Sequence, residues 1–118
     1  MKKMNTAAWA VIAAFTFGGT AALAQEDKKT ARLWKAKCGS CHGAEANGDT
    51  AKGKEMNVKD LSAAKWQASV KDEDIKKTIT EKQTVDVGGK KEEVHGFGED
   101  LKPDQVDALV THLRSLKK

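Results

Sequence analysis

A chain of 118 residues with 21 Lys and Arg against 17 Asp and Glu carries a formal charge of +4, too small an excess to mark a nucleic-acid-binding protein. Its length leaves room for one small domain, and no internal repeat, low-complexity tract or linker divides it. Acids and lysines are interspersed throughout, the pattern of a well-solvated surface.

The first 24 residues read as a secretory signal. Lys2 and Lys3 form a basic n-region, residues 7–17 are an apolar run of eleven, and Ala22-Leu23-Ala24 is an A-x-A cleavage site before Gln25. A bilayer-spanning helix needs about 20 apolar residues, so the expectation is export to the periplasm with cleavage and no stable membrane anchor. Residues 25–118 are then the mature domain. The signal holds two lysines and no acid, so the mature charge falls to +2. Apolar positions in those 94 residues are sparse for a self-sufficient core.

A helix is expected over 27–37, with Ala31, Leu33 and Trp34 on its apolar side. It leads directly into Cys38-Gly39-Ser40-Cys41-His42, which contains both cysteines of the chain. C-x-x-C-H is the attachment signature of a c-type haem: each thiol forms a thioether to a vinyl group and the histidine ligates iron. Thiols three residues apart on a helical turn project to one side, and the next residue can reach the metal. A structural zinc site would need a second ligand pair, which the chain lacks, and a thioredoxin-like pair should follow a strand. One covalent haem also supplies the missing apolar bulk.

After His42, the glycines and Asn/Asp of residues 43–49 mark a loop, and 56–61 reads as an extended approach. Asp60 or Ser62 is placed to cap a short helix containing Ala63, Ala64 and Trp66. Trp66 is expected in the core, with a hydrogen bond to a haem propionate as the sharper alternative. A helix over 72–81 has acids in its first turn and Ile75 and Ile79 on one face, positioned to wall the haem. Residues 83–93 are polar and contain Gly88-Gly89, an irregular loop with at most a brief extended piece at 85–87. The final helix opens at Pro103, carries Val106, Leu109, Val110, Leu113 and Leu116 on one stripe, and ends in basic residues. His112 lies between Leu109 and Leu116 as a partly exposed packing histidine.

The haem motif near the mature N-terminus, Trp34 four residues before Cys38, and the ending FGEDLKPDQVDALVTHLRSL resemble the class I cytochrome c family over essentially the whole mature segment. The resemblance implies an all-α fold, a small bundle of three to five helices around one covalently attached haem c, in which the last helix crosses the first. It also implies one-electron transfer rather than enzymatic turnover. Family members place a methionine before the final helix as the second axial ligand, yet KKEEVHGFGEDL has none, and the matching position falls on Val94 or His95. Only His95 has a lone pair to offer, so His42 and His95 are the expected iron ligands, with Met56, the only mature methionine, as the rival.

Two strong protein ligands leave no open coordination site, so a low-potential carrier is expected, because methionine ligation is what raises the potential in cytochromes c. Lysines 52, 54, 59, 65, 71, 76, 77, 82, 90 and 91 would steer acidic redox partners, and encounters of this kind suit a monomer. The alternative is a five-coordinate haem protein serving as a small-ligand sensor or weak peroxidase. Catalysis would need a polar pair over the iron, and the two arginines, Arg32 and Arg114, fall on elements expected at the structural base.

Overall fold

The computed structural model describes residues 20–118. The basic n-region and apolar run of the expected signal lie outside them. Among the described residues, no helix is long and apolar enough to cross a membrane. The described residues form six helices and one antiparallel ribbon in the order α1 (Thr20–Lys37), α2 (Gly39–His42), α3 (Ala51–Glu55), α4 (Ala64–Ser69), α5 (Asp72–Thr80), β1 (Gln83–Val87), β2 (Lys90–Val94) and α6 (Pro103–Ser115).

The long elements form where the apolar spacing demands. α6 has Pro at its first position, Gln105 Oε1 accepts from the Lys102 N–H at 2.9 Å, and Val106, Leu109, Val110 and Leu113 are buried. α5 starts with Asp72, Glu73 and Asp74, which offset the positive end of its dipole, and buries Ile75. α1 and α5 both pack on α6. The core consists of Trp34, Ala46, Ile75, Leu101, Val106, Leu109, Val110 and Leu113, bordered by half-buried Cys38, Trp66, Ile79 and Phe97.

The structure corrects four local expectations. The helix count is six rather than three to five, because α2 and α3 are single turns of four and five residues. α3 has no apolar periodicity; Thr50 Oγ1 accepts from the Gly53 N–H at 2.8 Å and starts it as an N-cap. Met56 is the C-cap of α3 rather than part of an extended run, and Asn57 turns through a φ of 52°. Residues 83–94 are an ordered hairpin, closed by Gly88 and Gly89 at φ 60° and 84°, the conformation a two-residue turn requires. Asp60 does not cap α4 directly: Ala63 takes that place, and the Asp60 carboxylate accepts from the Ser62 N–H and hydroxyl.

Arg114 locks α4, α5 and α6 together. Its guanidinium donates to the backbone carbonyls of Gln67 and Val70, at 2.6 and 2.5 Å, and to Asp72 Oδ1 at 2.9 Å. Gln67 in turn donates to Leu61 O and Leu113 O. Carbonyls at the end of α4 thereby receive charged donors, which are stronger than neutral ones.

His112 packs in the α1–α6 contact, its ring centroid 5.8 Å from that of Trp34. Burial lowers its pKa from the ordinary 6.5, with Asp27 opposing. The folded state therefore disfavours the proton that the unfolded chain takes up below pH 6.5. Stability from this group is complete above 6.5 and is lost as pH falls through the folded pKa. The urea midpoint of the haem-loaded protein should drop between pH 7.5 and 5, and His112→Leu should lessen that drop. Equal drops in the two proteins would remove His112 as the cause.

Candidate haem-attachment site

The chain passes from α1 into the cysteine motif at Cys38, which receives the end of one helix and caps the next. The Cys38 N–H donates to Trp34 O at 2.7 Å, and Cys38 O accepts from the N–H groups of Cys41 and His42 at 3.3 and 3.0 Å. One tight turn therefore carries both thiols and the imidazole.

A helix this short exposes its last carbonyls, and the surrounding residues satisfy those nearest its end. Cys41 O accepts from Thr50 Oγ1 at 2.9 Å, His42 O from the Gly48 N–H at 2.8 Å, and Gly43 O from the Trp34 indole at 2.9 Å. The loop of residues 43–50 is thus wrapped back under the motif. Trp34, buried at 4% exposure, fixes it to α1. α3 packs against α2 from the other side. Thr50 serves two elements at once, as cap of α3 and as donor to the haem motif. Sequence reading missed that role, although a threonine just before a short polar helix is the ordinary N-cap signal.

Both cysteines are free and half-buried. Burial, helped by the neighbouring Cys41, pushes the Cys38 thiol up to about 11, so it is held as the neutral thiol. Burial also lowers the His42 pKa, and its Nδ1 is buried without a hydrogen-bond partner among the described residues. A neutral imidazole is the form that ligates a metal. Two unbridged thiols and a neutral imidazole on one turn fit the donor set of a covalent haem, two thioether links and one iron ligand. No group of three or more His, Cys, Asp or Glu side chains among the described residues forms a separate metal cluster.

His95 follows β2 directly. Its segment is pinned to the end of α5 by the Phe97 N–H to Ile79 O, 2.8 Å, and the Gly98 N–H to Thr80 O, 3.1 Å. Phe97 in turn sits under Lys37, whose Nζ is 5.9 Å from the ring centroid, so the segment lies beside the end of α1 that precedes Cys38. The His95 ring stands edge-on to Phe97 and lies 3.2 Å from Asp100 Oδ2. Its side chain is 75% exposed. Met56 is half-buried at the end of α3. Cys38, Cys41 and His42 are brought together; His95 and Met56 sit on separate elements, and among the described residues no hydrogen bond or ring contact joins either to His42.

The cytochrome c family model matches residues 28–117. No curated protein matches the chain. Among solved structures the chain is similar to the KustC0563 c-type cytochrome, at 32% identity and a TM-score of 0.62 over 75% of this chain and 98% of that one. With the attachment turn, the packing of α1 on α6 and a match over nearly all described residues, the chain belongs to the cytochrome c family, whose members carry covalently bound haem c.

Proposed function

We propose that the protein is an exported one-electron carrier in which Cys38 and Cys41 hold haem c, His42 supplies one axial ligand and His95 the other. The observation that carries the reading is the single turn that presents two free thiols and a desolvated, neutral histidine. Bound haem supplies a metal that changes oxidation state by one electron. The protein's part is to hold it rigidly: the carbonyls of Cys41, His42 and Gly43 behind the turn accept from fixed donors, so the ligand has little room to rearrange between states. His95 is supported by its place beside the end of α1 and by the absence of sulfur from the segment before α6.

Binding iron through Nε2 would replace the His95 contact with Asp100. That contact and the 75% exposure favour a second reading, a five-coordinate haem open to a small ligand. A peroxidase gains nothing from Arg114, which is committed to Gln67, Val70 and Asp72. For docking, Lys52, Lys54, Lys76 and Lys82 are each ion-paired with an acid, which leaves the steering of acidic partners to Lys59, Lys65, Lys71, Lys77, Lys90 and Lys91 of the central segment.

Spectra of the haem-loaded protein test the ligand set. A low-spin ferric spectrum without a sulfur-to-iron charge-transfer band, turning high-spin in His95→Ala, supports the carrier with two histidines. Its potential should then lie below that of histidine/methionine cytochromes c. A wild type already high-spin and unchanged by the substitution indicates the open site, and a charge-transfer band lost in Met56→Leu indicates Met56.

A further inference from the structure

The ribbon formed by β1 and β2 has few ties to the rest of the fold, and an isolated two-stranded ribbon is marginal in water. We infer that two copies of this chain associate through the outer edge of β1, antiparallel, with Val85 opposite Val85.

The register argues for this edge. In a two-residue hairpin the pair flanking the turn exchanges both hydrogen bonds, so the bonded pairs are Val87 with Lys90, Val85 with Glu92 and Gln83 with Val94. The N–H and C=O groups of Thr84 and Asp86 therefore face away from β2. Both residues are exposed, and no backbone bond from outside the ribbon reaches them among the described residues. Asp86 Oδ1 accepts from the Gly89 N–H at 2.9 Å and stiffens the turn. Such an edge is a template for a further strand.

A two-fold pairing must oppose residues of matching orientation, and this separates the two edges. On β2 the outward residues are Lys91 and Glu93. A two-fold centred on β2 places Lys91 against Lys91, Glu92 against Glu92 or Glu93 against Glu93, and like charges directly opposite are destabilising. On β1, centring on Val85 sets Thr84 against Asp86 twice and Gln83 against Val87 twice, with no like charges opposed. Thr84 and Asp86 each then exchange both backbone bonds with the second copy. Directly paired residues share a face, so Val85 and Val87 lie with Val94, which is exposed at 36%. The four-stranded sheet β2-β1-β1-β2 would collect three valines from each copy on that face. Five-residue strands make a small interface, so the dimer is weak, with a dissociation constant on the order of 0.1–1 mM.

Sedimentation velocity of the mature haem-loaded protein, from about 10 μM to about 2 mM, tests this. The wild type should shift from monomer toward dimer across that range. Val85→Lys, which places two lysines face to face, and Thr84→Pro, which removes an outward N–H without touching a hairpin bond, should remain monomeric with wild-type haem spectra. Thr84→Pro keeps the test open if Val85→Lys fails to fold. Lys91→Gln, on the other edge, should dimerise as the wild type does. A wild type monomeric throughout, a dimer indifferent to Thr84→Pro, loss of the dimer in Lys91→Gln, or open-ended assemblies from head-to-tail pairing of β1 on β2 would each overturn the proposal.

Discussion

Leu109→Ala lowers the unfolding free energy of the haem-loaded protein by about 3 kcal/mol. Leu109 is 1% exposed, the most enclosed of the large side chains that α6 places in the core, and both α1 and α5 pack on this helix. Removing the side chain takes away its transfer free energy and leaves a cavity that three helices must close together. α6 is tethered by Arg114 to Gln67, Val70 and Asp72, so it cannot slide inward freely. For a domain of this size the loss is equivalent to roughly 12–24 °C in melting temperature. Leu116→Ala, at a half-buried position beyond the end of α6, should cost about 1 kcal/mol. Thermal melts of both variants followed by far-UV circular dichroism check the contrast, and a Leu109→Ala melting temperature within about 3 °C of wild type would show that α6 does not centre the core.

The parts of this fold that the sequence made legible are those fixed by periodicity or by covalent chemistry. α6 and α5 begin where their capping and acidic signals stand, and Val106, Leu109, Val110, Leu113 and Ile75 are buried as their spacing requires. The two thiols and His42 meet because they are neighbours in sequence. What escaped was held by other means. β2 reads Lys-Lys-Glu-Glu-Val, with no alternation to signal a strand; its pairing rests on the Gly88-Gly89 turn and on cross-strand partners such as Lys82 with Glu93 and Asp86 opposite Lys91. α3 contains a glycine and no apolar stripe, and exists because Thr50 caps it and α2 receives it. The side chain that locks α4, α5 and α6 together, Arg114, reaches partners 42 to 47 residues away, beyond any local pattern. His95 is singled out by its position before α6 alone, while its contact with Asp100 follows from the backbone turn in which the Asp100 N–H donates to Phe97 O.

Gly53→Ala should damage stability and haem attachment together. Gly53 is buried in α3, and a methyl group there would meet the carbonyl oxygens of Cys41 and Gly48, the latter at 2.5 Å, and Thr50 Oγ1 at 2.8 Å. Two of those three obstacles are backbone and cannot rotate away. Relief requires α3 to retreat from α2, which breaks the Thr50 hydrogen bond to Cys41 O and loosens the 43–50 loop that seats the motif. Overpacking of this kind costs about 3 kcal/mol. The consequence for function follows from geometry: Cys41 and His42 ride on the carbonyls that the methyl displaces, so the turn presenting thiol and imidazole is disturbed before haem is joined to it. The fraction of chain carrying covalent haem, read as haem stain against total protein on a denaturing gel, should fall well below wild type, and the loaded fraction should melt lower. Lys54→Ala, which alters an exposed residue of the same helix paired with Asp49, should leave haem content unchanged and stability within about 0.5 kcal/mol. If Gly53→Ala instead loaded haem and melted as Lys54→Ala does, the close seating of α3 against the motif would not be what holds the proximal side in place.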